Sequence, residues 1–116
     1  RNIGNVDLSV EINNSENASE FICGSSECGQ GDGIPDPQYN FSAYNRTHGD
    51  YNAGCLTGTI QDTYTSLFAN GTLQTVCSNL TYGQNSLVEV DLALLIPEDA
   101  APGQRSDTLT FIGTEI

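Results

Sequence analysis

Cys23, Cys28, Cys55 and Cys77 are the side chains of this chain best suited to covalent chemistry, and four cysteines allow three pairings. Their spacing favours disulfides. A zinc ion held by four thiolates needs paired C-x2-C-type knuckles, whereas the intervening runs here are 4, 26 and 21 residues. The expected pairing closes a short Gly-Ser-Ser-Glu loop between Cys23 and Cys28 and joins Cys55 to Cys77 across the middle of the chain. Closing a loop of about 20 residues is worth roughly 3 kcal/mol in chain-entropy models, so the longer bridge matters more for stability. Disulfides imply an oxidising compartment.

Asparagine carries the second kind of chemistry. Asn13, Asn17, Asn40, Asn45, Asn70 and Asn79 each open an N-x-[ST] triplet without proline, six acceptors in 116 residues. With 11 Asn, chance at this Ser and Thr content would give about two. The excess predicts an N-glycosylated, extracellular or cell-surface protein. In pairs, Asn13/Asn17, Asn40/Asn45 and Asn70/Asn79 are expected in three loop regions, leaving little bare surface for a catalytic cleft.

Three other clusters carry weaker chemistry. Gly31-Asp32-Gly33-Ile34-Pro35-Asp36 places Asp32 and Asp36 in a flexible loop of the sort that suits calcium, with Glu27 and Asp50 as further oxygen donors. It is a fragment of such a loop, and a plain Gly/Pro turn is the simpler reading. Tyr39, Phe41, Tyr44 and Tyr51 are clustered as a carbohydrate platform would be, although packing is the commoner use of aromatics. His48 is the single histidine, in a Thr-His-Gly-Asp loop. Without a Gly-x-Ser-x-Gly elbow it gives no triad, so no enzyme is expected.

Composition narrows the partners. Fifteen Asp plus Glu stand against three Arg and no Lys, a formal charge of −12. Phosphate-binding surfaces are cationic, so nucleic acid is excluded as a partner, and an anionic membrane is disfavoured. No apolar run approaches the roughly 18 residues needed to span a bilayer. The absence of lysine also excludes Lys-to-Asn isopeptide cross-links.

These residues must be positioned by strands. Val6, Leu8, Val10 and Ile12 alternate with Asp7, Ser9 and Glu11, the period of a half-buried strand. Short strands are expected at Phe21 to Cys23, from Tyr39 to Ala43, from Cys55 to Ile60 and from Leu73 to Cys77, the last following an Asn70-Gly71 turn. Between Gln61 and Ala69 a helical turn competes through Tyr64, Leu67 and Phe68. Leu87 to Ile96 is the most apolar segment and reads as a central strand. After Pro97 and Pro102-Gly103, Thr108 to Ile112 returns with Leu109 and Phe111 inward. The 116 residues therefore read as one all-β domain, a disulfide-stapled sandwich of about six to seven strands.

Asn2-Ile3-Gly4-Asn5-Val6-Asp7-Leu8-Ser9-Val10 resembles a strand of Ig-like sandwich domains in archaeal cell-surface and filament glycoproteins. Ile96-Pro97-Glu98-Asp99-Ala100-Ala101-Pro102-Gly103-Gln104 and Asp107-Thr108-Leu109-Thr110-Phe111 resemble the last loop and strand of the same domains. The plan is also similar to that of TasA/camelysin-like fibre subunits. Arg105 stands where the family often has an aromatic. The resemblance covers about a quarter of the chain and implies an Ig-like sandwich with a non-catalytic structural role in an extracellular filament or surface layer. Its partners would be copies of itself or neighbouring surface domains, and no cofactor beyond the weak calcium motif is implied. In the relatives a further strand precedes the Asn2 segment, which implies one supplied by a neighbour or lying outside this chain. The alternative is a carbohydrate- or cell-binding adhesion module.

Overall fold

The computed structural model describes residues 2–24, 26–45, 52–56, 58–68, 72–83 and 86–116. The chain is all-β. Its strands are β1 (Leu8–Asn14), β2 (Gln38–Tyr44), β3 (Asn52–Ala53), β4 (Thr65–Ser66), β5 (Gln74–Leu80), β6 (Ser86–Leu87), β7 (Glu89–Leu95) and β8 (Leu109–Glu115). Two three-stranded antiparallel sheets run in the orders β5-β1-β8 and β4-β2-β7, with β3 and β6 forming a small parallel pair.

Alternation sets much of the core, but on β5, whose register against β1 is irregular, the consecutive Val76 and Cys77 are both buried. Ile12 on β1, Val76, Cys77 and Leu80 on β5, Tyr39, Phe41 and Ala43 on β2, and Leu67 after β4 form one buried cluster drawn from both sheets. On one side the sheets are tied together. Cys55 and Ile60 bridge to Leu80 and Cys77 of β5, and Gln61 donates its N–H to Val76 while accepting that of Ala43 on β2. The chain thus passes from one sheet to the other along this side. The Cys55–Cys77 disulfide pins the crossing, and the second bridge joins Cys23 to Cys28. Both pairs match the expected connectivity.

Gly54 allows a close approach here, since a Cβ on it would lie 2.8 Å from the Leu87 nitrogen and from the Ser86 Cβ.

Three expectations are corrected. Phe21 to Cys23 belongs to a helical turn, Ser19–Cys23, where a strand was expected. The reason is local: Asn17 Oδ1 accepts the Glu20 N–H and Glu20 Oε1 accepts the Asn17 N–H, a reciprocal cap that starts a helix. Gln61 to Ala69 holds β4, because Leu67 N–H bonds Tyr39 and only Leu67 of the three apolar residues is buried. Leu87 to Ile96 contains β7, which is an edge strand and not a central one. The Asn70-Gly71 turn lies outside the described residues.

Candidate functional site

Among the described residues, β7 pairs only with β2, and β8 only with β1. Each therefore has an open edge. Ser15 N–H donates to Thr108 and Ile116 N–H to Asp7, which extends the β1/β8 register at both ends. Hydrogen-bonded positions in an antiparallel pair recur at every second residue, so Leu109, Phe111 and Gly113 turn their main-chain groups away from β1. On the other sheet, Leu67 N–H bonds Tyr39 and Ala43 N–H bonds Gln61, so the odd residues of β2 face away from β7. The β2/β7 register then leaves Val90, Leu92 and Leu94 turned outward. Among the described residues, none of these six has a main-chain partner on its outer side.

Apart from Gly113, which has no side chain, the same residues turn their side chains to the core face. Directly opposed residues share a face, and Leu92 lies opposite Phe41, Leu94 opposite Tyr39 and Phe111 opposite Ile12. Phe41 and Ile12 are completely buried, yet Leu92 is 46% exposed, Leu94 47% and Phe111 51%. The core faces of both sheets run out uncovered at β7 and β8. Neither edge carries a proline or a bulge; their charged residues are Glu89 and Asp91 on β7 and Glu115 on β8.

At the end of β7, between the helical turn and the β7–β8 connection, lies a pocket of about 380 Å³ lined by Phe21, Ile22, Leu94, Ile96, Pro97 and Arg105, among others. Arg105 is held by main-chain carbonyls alone: Nη2 donates to Cys23 at 3.3 Å and Ala101 at 3.2 Å, and the buried Nε has no acceptor. Its charge meets no carboxylate among the described residues. Gly24 makes room for it, since a Cβ there would sit 2.7 Å from Nε, and the φ of 70° suits glycine.

Two carboxylates brace the surroundings. Asp99 accepts Gly29 N–H at 2.7 Å and Gln30 N–H at 3.1 Å, fastening the disulfide loop to the β7–β8 connection. The Gly29 bond, with that of Gln30, holds its carboxyl below the usual range. Asp107 accepts the N–H groups of Ser15 and Glu16 on Oδ1 and the Tyr39 hydroxyl, at 2.8 Å, on Oδ2. Burial first, then the bond to Asp107 and its charge, push the Tyr39 phenol up. Sequence reasoning missed both carboxylates; each is one acid among fifteen, and its partners lie roughly 70 to 90 residues away.

The residues singled out in the sequence are dispersed. Asn13, Asn40 and Asn79 sit within β1, β2 and β5, not in loops; each is only partly exposed, and the side-chain oxygens of Asn13 and Asn79 are buried without a partner. Asn17 is exposed at the helical turn, and Asn45 pairs its side-chain amide with the Cys55 main chain. Asn70, His48, Asp50 and Tyr51 lie outside the described residues.

Asp32, Asp36 and Glu27 are exposed, and no three His, Cys, Asp or Glu side chains converge among the described residues. Tyr39 and Phe41 are buried in the core and do not form a surface platform with Tyr44. Among the described residues no helix is long and apolar enough to cross a membrane. No family model, curated protein or solved structure matches the chain.

Proposed function

We propose that this chain is a non-catalytic structural glycoprotein of the cell exterior, a subunit of a filament or surface layer, in which a strand from a second copy fills the open side between β7 and β8. One observation carries the reading: Leu92, Leu94 and Phe111 lack both an outer main-chain partner and cover for their apolar side chains. An added strand satisfies both at once, by main-chain bonds to one edge and by laying every second side chain over the groove.

One local charge suits a second copy as the occupant, against a net charge that opposes it. The chain carries −12, and Arg105 waits in the pocket at the end of β7 without a carboxylate. An acid-bearing strand suits it. Among the described residues, no acceptor asparagine lines the pocket. Two disulfides fit an oxidising exterior. The adhesion reading draws less support, because its aromatic platform loses Tyr39 and Phe41 to the core.

Electron microscopy of material from the native source tests the proposal. Ordered polymers of this subunit are expected. Dispersed single copies at physiological concentration overturn it.

A further inference from the structure

Ser42 is 1% exposed, and its hydroxyl is buried without a hydrogen-bond partner. Buried hydroxyls are nearly always bonded, because leaving one unpaired opposes folding. Alanine would fill almost the same space and leave no polar atom stranded. The fold therefore gives no reason for this hydroxyl, but the sequence does: Ser42 is the third residue of the Asn40-Phe41-Ser42 acceptor.

The folded triplet is out of an enzyme's reach. β2 is the middle strand of its sheet, bonded to β4 on one side and β7 on the other, and Phe41 is completely buried. An enzyme that reads the hydroxyl two residues after the asparagine would have to extract the strand from both neighbours. Asn40 itself is only half-buried and turns away from the core.

We infer that Asn40 is an N-glycan attachment site modified before β2 is incorporated into its sheet, and that the Ser42 hydroxyl serves the transfer, not the fold. The donor is an oligosaccharide activated on a lipid phosphate. Asn40 Nδ2 forms the bond to the anomeric carbon while the carbon–oxygen bond to phosphate breaks; the phosphate leaves with the electron pair, and the amide nitrogen gives up one proton. Asn17 is the contrast. It and Ser19 are both exposed at the helical turn, so this acceptor stays readable after folding. The inference rests on the glycoprotein reading and adds an order of events to it.

The test uses the full chain, unglycosylated, in two forms: folded with both disulfides intact, and reduced with its thiols alkylated so that it stays unfolded. Each is incubated with source-organism membranes that supply the transferase and lipid-linked donor, and occupancy is read site by site by mass spectrometry. Asn40 should be modified on the order of tenfold more in the unfolded form, and Asn17 comparably in both. Equal modification of Asn40 in the folded form overturns the inference and leaves the glycoprotein reading intact. Native material with no glycan on any site overturns both. As a second measurement, unglycosylated Ser42→Ala should melt a few degrees higher than the parent, and a lower melting temperature contradicts the role given to the hydroxyl.

Discussion

Asp107 gathers donors from distant parts of the chain, the main-chain N–H groups of Ser15 and Glu16 and the phenol of Tyr39. Its loss leaves a core tyrosine with a stranded hydroxyl. Removing one partner of a buried donor costs more than removing a single net hydrogen bond, so Asp107→Ala should destabilise by about 2 to 4 kcal/mol and Tyr39→Phe by about 1. Urea midpoints of the two variants check the order. Asp99 yields a pH prediction. Its folded pKa is depressed below its ordinary 3.8, so its tether to Gly29 and Gln30 is fully present above that value and is lost as pH falls through the lower folded one. The Gly29 and Gln30 amide shifts should move together in an NMR titration below pH 3.8, and unchanged shifts contradict the assignment. At this scale the local disulfide was legible, because Cys23 and Cys28 are neighbours in sequence. The carboxylate contacts were not, because nothing local to Asp99 or Asp107 names their partners.

Period-two alternation in β1, β2, β7 and β8 was readable because apolar side chains recur on the face each strand turns toward the core, covered on β1 and β2 and largely uncovered on β7 and β8. Phe21 to Cys23 was not, since three consecutive apolar residues fit a strand or a turn of helix, and the Asn17/Glu20 cap decides between them. The misreading of β7 as central has a different cause. Apolar pattern records that a strand is covered without recording which chain covers it. Proline separates the two sides of each edge. Leu94→Pro on β7 and Phe111→Pro on β8 remove an N–H that points outward, so both variants should fold. At least one should fail to polymerise. Ala93→Pro removes an N–H directed at β2 and should cost roughly 3 kcal/mol or more. Sedimentation and thermal melting of the three variants check this, and normal assembly by both edge variants contradicts strand addition.

Across the whole molecule, assembly must overcome charge. Each copy carries −12 in a body of 51 × 25 × 24 Å, so bringing two together is opposed at low ionic strength. Salt screens that repulsion: the Debye length falls from roughly 30 Å at 0.01 M to about 8 Å at 0.15 M. The critical concentration for polymerisation should therefore fall over this range. Light scattering at the two salt concentrations reads it, and a rise with salt would show that attraction between opposite charges outweighs the net repulsion. All-β class and the disulfide pattern were legible at this scale. The open side was not, because the sheet order that creates it arises from pairings between residues far apart in the chain.

Hydrogen–deuterium exchange at single-residue resolution, on dispersed and assembled protein, tests the central claim most directly. Strand addition predicts that assembly protects one alternating set of amides, Val90, Leu92 and Leu94 on β7 or Leu109, Phe111 and Gly113 on β8, while the ladder amides between them are already protected. If both sets exchange as freely in the assembled protein as in the dispersed one, no strand fills this groove and the account is wrong.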